Sequence, residues 1–170
     1  AEAIARAARY YPDGHRSVGG GRAHDYGVGV SMDESTRHAN AETLVIPMLE
    51  DIRAVEHIDE ILTVQGADIL HVAAGALGQS MGNPGRSEVR RVIGEVIPKI
   101  RAGGKFAGAG GNRPADTDGV AEFIPLGANF RTVSAHGMLP PGAEDFRRRV
   151  PDALRMASTT QSRSTHNTPH

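Results

Sequence analysis

Few side chains in this sequence are placed to do chemistry, and the most telling is Glu50, the carboxylate that ends the apolar run TLVIPMLE (43–50). A carboxylate at the end of a buried strand is costly to leave unpaired, so it calls for a cation, a metal ion or solvent. The plainer alternative is a solvated rim residue or a cap on a neighbouring helix. Asp51 follows at once, and its type and place suit the N-cap of the next helix better than a ligand. His71 lies inside the next apolar run and His136 just behind the last one. A histidine can move a proton near neutral pH, but neither has a partner close in sequence, and a lone strand histidine is usually a hydrogen-bonded core residue. His38 and His57 fall on helical segments as solvated positions, and His166 and His170 fall in a polar C-terminal stretch.

The stretch HVAAGALGQSMGNPG (71–85) stands where an α/β scaffold presents catalytic groups, yet it holds no carboxylate, cysteine or lysine. Its small residues, AAGALG (73–78), could bind an anion through backbone amides or simply make a tight strand-to-helix turn. The other glycine runs do not read as phosphate loops. GGKFAGAGG (103–111) lacks the spacing before Gly-Lys and the hydroxyl after it, and in GAGGNR (108–113) Arg113 stands where the last glycine of a dinucleotide fingerprint belongs.

The elements that must position these residues alternate. TLVIPMLE reads as a strand buried on both faces, with Pro47 as a blemish because it donates no ladder hydrogen bond. Asp51 caps a predicted helix over 52–64, whose Ile52, Val55, Ile58, Ile61 and Leu62 share one face. GADILHVAA (66–74) is the next strand, and RSEVRRVIGEVIPKIRAGG (86–104) an amphipathic helix closed by Gly103 and Gly104. A short strand (105–111), a helix (116–128), a strand (129–135) and a last helix (141–156) interrupted at Pro151 complete the pattern. Before it come a helix end (1–10), irregular glycine-rich chain (11–22) and a short helical approach (36–42). Residues 157–170 read as a disordered polar tail, leaving 1–156 as one domain. Strands separated by helical crossovers imply a parallel sheet with helices outside.

Composition narrows the function classes. The chain of 170 residues can form one domain with a real core, and its 19 basic and 20 acidic residues give no surplus for nucleic acid or an anionic membrane. With no cysteine, disulfides, thiolate zinc sites and cysteine nucleophiles are excluded, which suits a cytoplasmic protein. No run approaches the ~20 apolar residues of a membrane span. Aromatics are only 4% and glycines number 21, so the core must be aliphatic and many turns tight.

The order ARYYPDGHRSVG, HAN, LVIPMLED, AVEHIDEILTVQGADILHVAAGALGQSMGNPG, IRAGGKFAGAGG and LGANFRTVSAHG resembles the HpcH/HpaI aldolases over about residues 1–150. These are metal-dependent class II pyruvate aldolases, and the resemblance implies a (β/α)₈ TIM-type barrel of typically ~250 residues. This chain matches strands five to eight, about the second half, and the strand edges of a half barrel would need cover. By resemblance, a divalent Mg, Mn or Co ion grips a 2-oxo acid and stabilises the enolate formed as a C–C bond breaks. Glu50 matches one metal ligand of that family, and Ala76 takes the position of the second, an aspartate. Met48 stands where a substrate-touching glutamine is usual, and the backbone of Gly75 and Ala76 would face the substrate carboxylate. The family's catalytic histidine and substrate-gripping arginine come from earlier strands that this chain does not match.

The resemblance therefore implies an aldolase-type carbon–carbon lyase acting on a small 2-oxo acid, impaired in this chain, in a cytoplasmic homo-oligomer with no nucleic-acid or membrane partner. Two further readings stand beside it. One is an inactive homologue serving as a structural or oligomer partner; the other is a metal-free reaction using His71 or His136.

Overall fold

The computed structural model describes residues 1–112 and 117–164. They divide into two compact units, 1–112 with 117–132, and 133–164. In the first unit, helices α1 (Glu2–Ala8) and α2 (Met32–Glu42) precede strand β1 (Met48–Leu49). Short helices α3 (Ile52–Glu56) and α4 (Ile58–Leu62) lead to β2 (Ile69–Ala73). Helices α5 (Ala74–Ser80) and α6 (Arg86–Ala102), strand β3 (Phe106–Asn112), α7 (Thr117–Ala121) and β4 (Ala128–Val133) follow.

The sheet runs β1-β2-β3-β4, in chain order, and both the β1–β2 and β2–β3 pairs are parallel. Sequential parallel strands with helices between them are the expected α/β design, and they carry four strands of the barrel pattern. Register assigns the two faces. Leu49 pairs with Val72, and Val72 with Ala109. These residues join Leu70, Ala107 and the α6 stripe Val89, Val92, Ile93, Val96, Ile97 and Ile100 in one aliphatic core. Each fully buried aliphatic side chain there contributes roughly 1.5–3 kcal/mol. The alternate residues Met48, His71 and Gly108, also in register, occupy the opposite face.

Several predicted elements change length for local reasons. The strand expected over 43–50 shrinks to Met48–Leu49. Upstream the chain still runs beside β2, with the Asp68 N–H donating to Val45 O at 2.9 Å and the His71 N–H to Pro47 O at 3.0 Å. Pro47 has no N–H to return, so the ladder cannot extend through it. The helix expected over 52–64 breaks at His57 (φ −100°, ψ 25°), although its apolar face survives, with Ile58 buried and Ile52, Val55, Ile61 and Leu62 packed against the core. The AAGALG segment makes the tight strand-to-helix turn that its small residues suggested: α5 starts directly from β2.

Strand β4 approaches β3 more closely than any side chain would allow. A Cβ at Gly110 would stand 2.7 and 2.8 Å from Thr132 O and N, and one at Gly108 would stand 3.1 Å from Phe130 Cδ1. At the N-terminal side of the sheet, Asp68 Oδ2 accepts from the Val45 N–H at 2.7 Å and from Arg9 Nη2 at 3.1 Å. Asn40 accepts from the Tyr10 N–H at 2.7 Å and donates to Tyr10 O at 2.9 Å. The 1–42 segment is thereby tied to the start of β2.

In the second unit, a single 3-10 turn (His136–Met138) leads into helix α8 (Leu139–Ser164). Pro151 lies inside this helix, which continues past the expected boundary at 156. Residues 165–170 lie outside the described residues.

Candidate functional site

Both C-terminal strand exits that carry the predicted site residues belong to the first unit. Glu50 follows β1 and is exposed, one residue beyond Leu49, which is 2% exposed. Asp51 is the N-cap of α3, its Oδ1 accepting from the Arg53 N–H at 2.9 Å. The Arg53 guanidinium closes on the same carboxylate, with Nη2 at 2.6 Å from Oδ2, and holds its pKa down to about 2. Asp51 is thus a cap and an ion-pair partner, as its position predicted.

At the neighbouring exit, Gly75 and Ala76 lie in the first turn of α5. Their N–H groups precede the first intrahelical hydrogen bonds, so the helix itself leaves them without acceptors. Nothing lies within 4 Å of where a Cβ of Gly75 would be, so the backbone there is open to a small molecule. Gly75 also lines a cavity of about 220 Å³ with Ala74, Val89, Ile93 and Phe123. Met48 is 52% exposed and in register with His71 on the sheet face opposite the helix-packed core.

The divalent metal implied by the resemblance finds too few donors in the residues present. Ala76 offers a methyl group, Asp51 is committed to Arg53, and Glu50 remains a single carboxylate. Among the described residues no group of three or more histidine, aspartate or glutamate side chains is placed to hold a metal ion. Hard cations take several oxygen ligands, so this set does not fit one.

His71, 6% exposed, is the hydrogen-bonded core residue that a lone strand histidine suggests. Its Nε2 lies 3.2 Å from Thr132 Oγ1, and the ring meets Phe130 edge-on with centroids 5.8 Å apart. Burial, and then the charge of Arg131, push its pKa below the usual histidine value, so the imidazole is neutral at neutral pH. Thr132 and Arg131 escaped the sequence reading; an arginine inside the otherwise uncharged strand ANFRTV was the available signal. His136 belongs to the second unit, with its ring nitrogens 3.0 and 3.2 Å from Ser134 Oγ. His57 is exposed and pairs with Glu60 at 3.1 Å, in keeping with a solvated helix face. Arg113 lies outside the described residues. Among the described residues, no helix is long and apolar enough to cross a membrane.

Comparison with known proteins agrees with this architecture. The chain is 36% identical over 152 residues to a 2-keto-3-deoxy-L-rhamnonate aldolase of Klebsiella pneumoniae, covering 86% of this chain and 55% of that protein. It is 35% identical over 170 residues to the Salmonella paratyphi B protein of the same name, covering 97% and 59%. The chain therefore spans little more than half the length of these relatives. Among solved structures, an HpcH/HpaI aldolase from Desulfitobacterium hafniense superposes with a TM-score of 0.66 at 25% identity, covering 97% of this chain and 58% of that one. A family protein from Burkholderia cenocepacia reaches a TM-score of 0.73 at 24% identity over 86% and 58%, which speaks for the fold. The family profile described as HpcH/HpaI aldolase/citrate lyase matches residues 1–140, the stretch that carries β1 to β4 and both strand exits. On that match and on the sequential parallel sheet, the chain belongs to the HpcH/HpaI aldolase/citrate lyase family.

Proposed function

We propose that the protein is an aldolase-type carbon–carbon lyase acting on 2-oxo acids, with enolising power reduced by the alanine at position 76. In the proposed cleavage of a 2-oxo-3-deoxy acid, the C4 hydroxyl loses its proton and the C3–C4 bond breaks. Its electron pair passes to the C2 carbonyl as an enolate, and reprotonation at C3 completes pyruvate beside an aldehyde. The observation that carries this reading is the placing of Glu50 and the open Gly75–Ala76 turn at adjacent exits of parallel strands. On this reading the first-turn amides of α5 receive the substrate carboxylate, Met48 borders the substrate, and Glu50 is what remains of a metal-binding pair. Homo-oligomer formation belongs to the same proposal, supported by the exposed β1 edge with Met48 on it.

The test is deuterium exchange into the pyruvate methyl group, followed by NMR in D₂O with and without Mn²⁺. Weak exchange that Mn²⁺ does not stimulate is expected of the parent, and Mn²⁺-stimulated exchange at least roughly tenfold higher in Ala76→Asp, lost again when Glu50→Ala is added, because restoring a ligand restores charge stabilisation. No exchange in the folded protein or in Ala76→Asp would refute the enzymatic reading. The bare methyl group at Ala76 favours the second reading, an inactive homologue that serves as a structural partner, and that result would leave it standing.

A further inference from the structure

A second cavity, of about 390 Å³, opens beside the approach to β2, at the end of the sheet away from the strand exits. Its size falls within the ~300–1,000 Å³ of small-molecule sites. Arg6 and Arg9 line it from α1, Asp13 from the turn that follows, Asn40 from α2, and Gln65 and Gly66 from the chain before β2. Some of these groups are already occupied. Arg9 pairs with Asp68 at 3.1 Å, and the Asn40 side chain is held by the Tyr10 backbone and by Asp13 Oδ2. Others are left over. The Arg6 guanidinium and the Gly66 N–H meet no acceptor among the described residues, and Asp13 Oδ1 meets no donor there. Arg6 and Asp13 thus line one cavity with opposite charges and form no ion pair with each other, so the space between them separates a cation from an anion. A bare anion placed there faces the Asp13 carboxylate, and a bare cation faces two guanidinium groups. A ligand carrying both charges meets neither repulsion.

We propose that this cavity binds a free α-amino acid, with its carboxylate on Arg6 and the Gly66 N–H and its ammonium on Asp13. A planar guanidinium and a carboxylate match as a two-bond pair, which gives orientation as well as charge neutralisation. The five residues of β2 separate this cavity from the Gly75 exit, roughly 16 Å of strand. None of the lining residues lies at a strand exit, so the site stands apart from the lyase reading. A bound amino acid joins α1 to the start of β2, the junction that Arg9 and Asp68 already hold, and stabilises the folded chain by mass action.

The experiment is a ¹H–¹⁵N NMR titration of the whole chain, followed at the Gly66 amide, with L-alanine and L-glutamine as a smaller and a larger probe. Lactate, which lacks the ammonium, and ethylamine, which lacks the carboxylate, are the controls. At least one amino acid is expected to give a saturable shift at Gly66. It should bind at least roughly tenfold more tightly than either control, because each control leaves one charge of the cavity unpaired. Arg6→Gln should weaken that binding at least roughly tenfold. Asp13→Asn keeps an acceptor for Asn40 and should abolish the preference for the amino acid over lactate. Both positions are exposed, so each variant should keep the parent's unfolding midpoint without ligand, which shows the fold intact. No saturable shift at Gly66 with either amino acid overturns the proposal. So does lactate binding as tightly as the amino acid, unchanged affinity in Arg6→Gln, or a preference over lactate that survives in Asp13→Asn.

Discussion

Replacing Gly110 by alanine tests the closeness of β4 to β3, on which the placing of Arg131 and Thr132 depends. The added Cβ would stand 2.7 Å from Thr132 O, 2.8 Å from Thr132 N, and closer still to Thr132 Oγ1. Two of these three atoms are backbone, so no side-chain rotation relieves the clash and β4 has to move. Overpacking of this kind costs about 1–3 kcal/mol. A displaced β4 also loses the Thr132–His71 hydrogen bond and the Phe130–His71 edge contact, worth about 1 kcal/mol apiece. A total near 3 kcal/mol or more is expected, a large share of the ~5–15 kcal/mol that holds a domain together. Urea unfolding followed by circular dichroism reads this as a lower midpoint at unchanged slope. Gly75→Ala is the control. Its Cβ meets nothing within 4 Å, and α5 gains a better helix former, so it should be neutral or up to ~1 kcal/mol more stable. If Gly110→Ala unfolds within ~0.5 kcal/mol of the parent, the tight β3–β4 approach is wrong, and with it the geometry around His71.

Three further outcomes follow from particular contacts. Asp51, held down to about 2 by Arg53, should stay ionised through the range where other carboxylates protonate. Its stabilising effect is present above about pH 4 and fades as pH falls towards 2; a ¹³C carboxyl titration with a midpoint near 4 would contradict the pairing. For His71 the folded form resists protonation, so stability falls as pH drops below the unfolded value of about 6.5, while above it this residue contributes no pH dependence. Ring-proton NMR should show His71 still neutral when exposed histidines have titrated, and Arg131→Met should raise its midpoint; an unchanged midpoint would remove Arg131 from its surroundings. Asp68→Ala removes the acceptor of both Val45 N–H and Arg9, and should cost about 2–3 kcal/mol with faster exchange of the Val45 amide. An unaltered Val45 exchange rate would refute the tie between β2 and the preceding segment.

How much of this was legible in the sequence depended on how local each signal was. The α6 boundaries came close, 86–104 expected against Arg86–Ala102, because an amphipathic stripe and terminal glycines act within a few residues. The Asp51 cap was equally readable, since donor and acceptor are two residues apart. Strand β1 was overdrawn because apolar composition reports burial, whereas a ladder needs an N–H that Pro47 lacks. The break at His57 left no mark in the pattern, since both short helices keep the same apolar face.

The site divided in the same way. Glu50 at a strand exit, and the missing carboxylate at Ala76, could be read from motif order alone, because strand–helix alternation dictates which residues reach the C-terminal ends. That His71 is a buried, neutral ring against Phe130 and Thr132 could not, since those partners lie 59 and 61 residues further along the chain. The same holds for the guanidinium of Arg131, whose nitrogens are buried without a hydrogen-bond partner among the described residues. By itself the sequence determined which residues are apolar, which turn the chain and which carry charge. Only tertiary structure decided which charges lose water and which find partners, because burial and pairing belong to the space between strands that glycines at 108 and 110 allow to close.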